Sequence, residues 1–263
     1  MLGFKAIFAS FIVAAIPSRC EPPVWLQGDR TSARSAHSAG SRTDTASRAA
    51  SLRVEPLDAT AALPTFVMRG EPHGPAKLVF IHGMCGHALG YAQSFQWSAS
   101  KHGVLIAPQG DVPCSPGSPW AKWSLDTAAL DQRIVAAFRA LGSEDPELDI
   151  ALIGYSQGAS RAEALARRWP KRYTRLISIA GPTKVSPYGL AVDSALMMAG
   201  TLDRQDLMQA SAKAFVAAGR RARYMPLPNA RHGSMGDTPE QTMGAALAWL
   251  YEPRSTPTIV NRE

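Results

Sequence analysis

Short apolar segments alternate with longer amphipathic segments from about residue 64 to residue 251. The apolar segments are apolar at nearly every position, which is typical of parallel strands that are buried on both faces. They predict strands at residues 65–68, 77–81, 104–107, 149–153, 175–179, 195–198 and 222–225. The segments between them predict helices at residues 91–100, 127–141, 157–169, 205–218 and 239–251.

This alternation predicts an α/β fold with a mostly parallel central sheet and helices on both faces. Parallel strands joined through helices form right-handed βαβ units. In such sheets, ligands and reacting groups collect just beyond the carboxyl ends of the strands. The loops of interest therefore follow residues 81, 107, 153, 179, 200 and 226.

The first 20 residues have the pattern of an export signal. Lys5 precedes an apolar run at residues 6–16, which is shorter than the roughly 20 residues of a membrane-spanning helix. Cys20 is a candidate for lipidation because its segment resembles a bacterial lipoprotein signal, although Arg19 stands where that signal has a small residue. Simple cleavage and a retained anchor are the alternatives. We predict an exported protein that is periplasmic, secreted or tethered to a membrane through its N-terminus.

The remaining chain divides into a linker, one folded domain and a tail. Residues 21–55 are rich in Ser, Arg and Ala and cannot bury enough apolar surface to offset the entropy of ordering, so they predict a disordered linker. The folded, catalytic domain is predicted at residues 56–253, and a C-terminal tail at 254–263. With 46% hydrophobic residues, the chain has ample material for one large core.

Net charge does not indicate a nucleic-acid partner. The 263-residue chain carries +7, from 28 Lys+Arg and 21 Asp+Glu, but residues 56–253 hold 19 basic and 16 acidic residues. The densest basic run, at residues 167–175, coincides with a predicted helix end, where cations complement the helix dipole. We predict no nucleic-acid partner; an anionic partner at this run is the alternative.

A G-x-S-x-G pattern joins the strand at residues 149–153 to the next helix, with Ser156 at its centre. A serine on such a sharp turn has a strained backbone, and the residues two before and two after it must be small. Gly154 and Gly158 meet that requirement. The helix start also places backbone N–H groups where an oxyanion would form. Ser156 is the candidate nucleophile, and an ordinary strand-to-helix turn is the alternative.

A serine nucleophile requires a base, and the base requires a carboxylate. Among the six histidines, His232 lies between the last strand and the last helix, at the carboxyl end of the sheet. A plain surface histidine is the alternative. Asp203 follows the strand at residues 195–198 and is the candidate carboxylate, whereas Asp206 falls within the next predicted helix.

The order Ser156, Asp203, His232 resembles that of the α/β-hydrolase superfamily. The resemblance covers residues 64–252 without a large lid insertion. It implies the α/β-hydrolase fold and an activity similar to that of a lidless serine carboxylesterase.

Residues 82–86, His-Gly-Met-Cys-Gly, resemble the H-G-x-x-G loop of the same superfamily. That resemblance implies an oxyanion hole formed by the backbone N–H groups of Met84 and Gln157. It also makes His82 a structural residue of the loop. His82 and His87 have no further ligand cluster beside them, so we predict no metal and no organic cofactor.

Cys85 and Cys114 fall in two loops at the predicted site. Because disulfides persist in exported proteins, we hypothesise that they form a disulfide that pins the oxyanion loop; two separate thiols are the alternative. Trp120, Trp123 and Tyr155 could form an apolar wall of the substrate pocket. The alternative is that the tryptophans pack the loop onto the body of the domain.

Together these residues predict a serine hydrolase that cleaves small-molecule carboxylic esters through an acyl-enzyme on Ser156. A serine peptidase or another acyl-transfer enzyme on the same fold is the main alternative. A non-catalytic binding protein that retains the fold is the second alternative.

Overall fold

A computed structural model describes residues 52–57, 63–69, 74–145, 147 and 149–253. All of them belong to one compact unit, Thr43–Glu263. The predicted export signal, Cys20, most of the linker and the C-terminal tail lie outside the described residues. Among the described helices, none combines the length and the apolar character needed to cross a bilayer.

The described strands are β1 (Arg53–Pro56), β2 (Thr65–Arg69), β3 (Ala76–Ile81), β4 (Gly103–Pro108), β5 (Val112–Pro113), β6 (Ala121–Lys122), β7 (Ile150–Tyr155), β8 (Tyr173–Ile179), β9 (Ser194–Gly200) and β10 (Ala222–Leu227). Eight of them form a central sheet, in the order β1-β2-β4-β3-β7-β8-β9-β10. Strands β1 and β2 are antiparallel, and β2 pairs antiparallel with β4. The pairs from β4 through β3 to β10 are all parallel. The mostly parallel sheet predicted from the sequence is therefore confirmed.

Helices cover both faces of this sheet. They are α1 (Ala88–Ala92), α2 (Gln96–His102), α3 (Thr127–Ala140), α4 (Gln157–Arg168), α5 (Asp206–Ala217) and α6 (Pro239–Tyr251). Helices α3, α4 and α5 pack on one face, through side chains such as Ile134, Leu165 and Phe215. Helices α1, α2 and α6 pack on the other, where Ala99 and Leu247 are buried.

Burial on both faces explains the uniformly apolar strands. In β3, Val79 and Ile81 belong to the core on the α3–α5 face, whereas Leu78 and Phe80 belong to the core on the opposite face. All four side chains are fully buried. Because successive side chains of a strand point to opposite faces, a strand with a core on each side has apolar residues at consecutive positions.

The structure departs from the predicted elements at three points. The helix expected at residues 91–100 is two helices, α1 and α2, separated by a 3-10 turn at Gln93–Phe95. The hairpin of β5 and β6 was not predicted, because strands of two residues show no periodicity. The chain enters the sheet at Arg53, before the domain boundary placed at residue 56.

Candidate active site

Ser156 occupies the turn between β7 and α4, with the strained backbone that its sequence pattern predicts. Its φ is 51° and its ψ is −115°, a combination that costs energy for any residue with a Cβ. A Cβ added to Gly154 would lie 2.5 Å from the carbonyl oxygen of Gly158. A Cβ added to Gly158 would lie 2.0 Å from the carbonyl oxygen of Ile81. Both glycines are therefore required for the close passage of the backbone.

The structure brings together the three residues that the sequence singled out. The Oγ atom of Ser156 lies 3.0 Å from Nε2 of His232. The Nδ1 atom of the same imidazole lies 2.8 Å from Oδ2 of Asp203. The His232 side chain is 54% exposed and that of Asp203 is 14% exposed, so the carboxylate is the more sheltered of these two groups.

Backbone contacts fix Asp203 and His232 relative to each other. Strands β9 and β10 end side by side, with Gly200 paired to Leu227. Beyond them, the N–H of Leu202 donates to the carbonyl of Ala230 at 3.0 Å. The loops that carry the carboxylate and the imidazole therefore leave the sheet at neighbouring points. The hydrogen bond between them lies one residue before Asp203 and two residues before His232.

The second oxygen of Asp203, Oδ1, accepts a hydrogen bond from the backbone N–H of Arg204 at 2.7 Å. Both oxygens of the carboxylate are thus engaged, which orients the group toward the imidazole. Asp206, three residues later, lies in the first turn of α5 and forms an exposed ion pair with Arg204. It has no contact of its own with His232 among the hydrogen bonds of the described residues.

The predicted oxyanion loop lies against the nucleophile. A Cβ added to Gly83 would be 3.4 Å from the Cβ of Ser156. Met84 follows directly and is 62% exposed, at the rim of the site. Gln157 is the first residue of α4, and the N–H groups of a first helical turn have no acceptor within the helix. Both predicted oxyanion donors therefore lie close to the serine: Met84 follows Gly83, which packs against Ser156, and Gln157 follows Ser156 directly.

His82 is buried and braces this loop. Its Nδ1–H donates to the carbonyl of Gly83 at 2.7 Å, and its Nε2 accepts from the N–H of Gly110 at 2.9 Å. Burial lowers the pKa of His82 to about 4, so the ring is neutral at neutral pH. The neutral tautomer with its proton on Nδ1 satisfies both bonds. His82 therefore has a structural place in the loop.

Further contacts attach the predicted oxyanion loop to the segment after β4. Cys85 and Cys114 form a disulfide, with their Cα atoms 5.7 Å apart. Gly86 and Ala121 exchange two backbone hydrogen bonds, of 3.1 and 3.0 Å. The Trp123 indole donates to the His82 carbonyl at 2.7 Å. These contacts fix the backbone on both sides of Met84.

The three residues predicted to line the substrate pocket differ in their exposure and contacts. Trp123 is 5% exposed, and its backbone N–H donates to the side-chain oxygen of Gln157 at 3.1 Å. Tyr155 is 2% exposed, and its hydroxyl accepts from the N–H of Gly233 at 2.7 Å. Both side chains brace loops from within, because their polar atoms find backbone partners there. Trp120 is half-buried beside the His87 ring, at 6.1 Å between centroids.

Gln109 and Tyr91 contribute to the site but were not singled out in the sequence. Gln109 is buried just beyond β4, where its Oε1 accepts from the N–H of Ala88 at 2.7 Å and its Nε2 donates to the carbonyl of Pro119 at 2.9 Å. Its position directly after a strand was the one available signal. Tyr91 lies on α1 and contacts the loop of His232 across 142 residues, which no local pattern indicates.

Within the described part of the chain, no group of three or more His, Cys, Asp or Glu side chains is arranged to hold a metal ion. The chemistry available at this site is that of a hydroxyl, an imidazole, a carboxylate and backbone amides. Such a set can transfer an acyl group through a covalent serine intermediate.

No protein-family model matches the sequence, and no curated protein sequence matches it. Solved structures do match the fold. Esterase PE8 has a TM-score of 0.56 at 20% identity, over 72% of this chain and 100% of its own. The fluorophosphonate-binding serine hydrolase F of Staphylococcus aureus has a TM-score of 0.60 at 11% identity, over 77% of this chain and 100% of its own.

A third match is the carboxylesterase of Bacillus cereus, with a TM-score of 0.51 at 17% identity over 72% of this chain and 96% of its own. The chain has the α/β-hydrolase fold. In that fold, the order of nucleophile, acid and base along the chain is the order of Ser156, Asp203 and His232 here.

Proposed function

We propose that this protein is a serine hydrolase that cleaves small-molecule carboxylic esters through an acyl-enzyme on Ser156. The observation that carries the proposal is the continuous hydrogen-bonded chain from the Ser156 hydroxyl through His232 to the Asp203 carboxylate. The strained backbone at Ser156 and the loop of Met84 beside it support the same reading. The α/β-hydrolase fold is compatible with it, and the matched structures include proteins named as esterases.

Acylation begins when Ser156 Oγ attacks the ester carbonyl carbon and His232 Nε2 takes its proton. The carbonyl oxygen becomes an oxyanion, which the N–H groups of Met84 and Gln157 stabilise; one such donor contributes about 3 kcal/mol. Asp203 stabilises the imidazolium. The bond to the leaving oxygen then breaks, and that oxygen takes the proton from Nε2 and departs as an alcohol.

Deacylation repeats these steps with water as the nucleophile. Nε2 of His232 takes a proton from water while the water oxygen attacks the acyl carbon. When the second tetrahedral intermediate collapses, the bond to Ser156 Oγ breaks and Oγ regains the proton from the imidazolium. The product is a carboxylic acid and the enzyme returns to its starting state. No redox change occurs, and every proton passes through one nitrogen atom.

The proposed setting is outside the cytoplasm. The Cys85–Cys114 disulfide supports it, since disulfides persist in oxidising compartments. The apolar run that follows Lys5 supports export because it has the pattern of a secretory signal. We propose periplasmic, secreted or membrane-tethered placement, with the tether at the N-terminus.

A panel of p-nitrophenyl esters of increasing acyl length, assayed beside peptide anilides, tests the proposed activity. We expect hydrolysis of the esters by the wild-type chain and its loss in Ser156→Ala. Ser160→Ala, on the same helix one turn later, is the matched control and keeps the activity. Hydrolysis of anilides but of no ester would assign a peptidase instead. Turnover of neither substrate class would favour the binding-protein alternative.

A further inference from the structure

Gly233, the residue after His232, forms backbone hydrogen bonds with two tyrosine hydroxyls. Its N–H donates to the Tyr155 hydroxyl oxygen at 2.7 Å, and its carbonyl accepts from the Tyr91 hydroxyl at 3.0 Å. Its φ is 90°, a conformation that suits glycine. Both polar groups of this backbone residue are thus held by side chains from other elements.

The two tyrosines form one rigid unit. Their rings are stacked, with centroids 4.6 Å apart and planes 18° apart. Tyr155 is the residue immediately before Ser156, and its ring centroid lies 5.8 Å from that of His232. Burial raises the pKa of both tyrosines, so both hydroxyls keep their protons at neutral pH and Tyr91 remains a donor.

We propose that Tyr91 and Tyr155 are positioning residues that hold the imidazole of His232 in line with Ser156 through Gly233. This inference rests on the function proposed above. Asp203 fixes one ring nitrogen of an imidazole that is otherwise half exposed, and the tyrosine pair fixes the backbone that carries it. An error of about 1 Å in such a group costs up to roughly 100-fold in rate.

Tyr91 is also connected through the backbone to the proposed oxyanion loop. Tyr91 lies on α1, which begins at Ala88, directly after the loop of Met84 and its N-cap His87. One continuous segment therefore carries both a proposed oxyanion donor and a hydroxyl that fixes the loop of the base. A displacement of this segment would disturb both groups at once.

The first test is Tyr91→Phe, which removes one hydroxyl and keeps the stacked ring. We expect kcat for p-nitrophenyl acetate to fall roughly 10- to 100-fold with little change in KM, because the misplaced base acts in the chemical step. Tyr155→Phe should act in the same direction. Tyr173→Phe is the matched control: it removes a buried hydroxyl bonded to Asp131 at the opposite end of the sheet, and it should leave kcat unchanged.

The decisive test repeats Tyr91→Phe in a His232→Ala background. A residue that acts mainly through His232 has little left to position there, so Tyr91→Phe should lower the residual activity by a clearly smaller factor than in the wild type. A loss by the same factor in both backgrounds, or an unchanged kcat in the single variant, would overturn the tyrosine proposal and leave the proposed function standing. If His232→Ala itself keeps wild-type activity, the proposed function fails first.

Discussion

The Asp203 carboxylate receives the Nδ1–H of His232 at 2.8 Å and the backbone N–H of Arg204 at 2.7 Å, one on each oxygen. With its proton on Nδ1, the imidazole presents the lone pair of Nε2 to Ser156. One carboxylate therefore sets both the tautomer and the direction of the base. In the proposed mechanism it also supplies the negative charge that stabilises the imidazolium.

Asp203→Asn should reduce kcat by about 10³- to 10⁴-fold, because the amide can donate to Nδ1 and thereby move the ring proton to Nε2, facing Ser156. KM should change little. Steady-state kinetics on one ester measure both quantities. Asp206→Asn is the matched control, since Asp206 pairs with Arg204 at the surface. An Asp203→Asn variant within tenfold of wild type would show that another group supports His232.

The Cys85–Cys114 disulfide should influence both stability and rate. It closes a loop over a sequence separation of 29, so replacing both cysteines with serine should lower the free energy of unfolding by about 3 kcal/mol. It should also lower kcat by roughly tenfold, because the Met84 amide is less well held. Urea unfolding measures the change in stability, and ester hydrolysis at urea concentrations below the unfolding transition measures the change in kcat. Loss of stability with unchanged kcat would mean that the Gly86–Ala121 pairing suffices to position the loop.

Gly158→Ala should destabilise the domain by about 3 kcal/mol, because its Cβ would lie 2.0 Å from a backbone oxygen that has no room to move. Gly117→Ala is a suitable control. An added Cβ there meets nothing within 4 Å, and its φ of 72° should cost about 1 kcal/mol. Denaturant unfolding compares them, and equal losses would argue against the close passage beneath Ser156.

Acid should weaken the fold through His82. Its pKa is about 4 in the folded protein against 6.5 for an ordinary histidine. Below pH 6.5 the unfolded chain therefore binds a proton that the folded chain excludes, and stability falls as the pH drops toward 4. Between pH 7 and pH 5 this contributes about 2 kcal/mol.

Comparing wild type with His82→Gln isolates this contribution from that of other titrating groups. The free energy of unfolding should decline more steeply with falling pH in the wild type than in the variant. Parallel declines would mean that His82 is protonated in the fold as easily as in the unfolded chain.

The sequence predicted the sheet and helix α6 well because these elements are set by local patterns. Residues 239–251 were predicted as a helix and form α6 with those bounds, with Pro239 in its first turn. The convergence at Ser156 was predictable because parallel strands bring their carboxyl ends to one edge. Predicting which loops meet at this edge requires only the order of the strands and helices along the chain.

The bracing of the site could not be predicted in the same way. We predicted Tyr155 and Trp123 in a pocket wall, with packing of the tryptophan onto the domain as the alternative, because a large aromatic side chain suits both places; both side chains are buried. The Tyr155 hydroxyl accepts a hydrogen bond from the N–H of Gly233, and the Trp123 indole donates one to the His82 carbonyl. Such contacts join segments far apart in sequence and leave no periodic signal.

Labelling with a fluorophosphonate followed by peptide mass spectrometry tests the central claim most directly. The reagent should attach once, to the peptide that contains Ser156, and His232→Ala should slow the reaction. Ser234→Ala, which removes a hydroxyl from the loop of the base, should still be labelled at Ser156. A label that persists in Ser156→Ala, or that maps to another residue in the wild type, would contradict the assignment of the nucleophile.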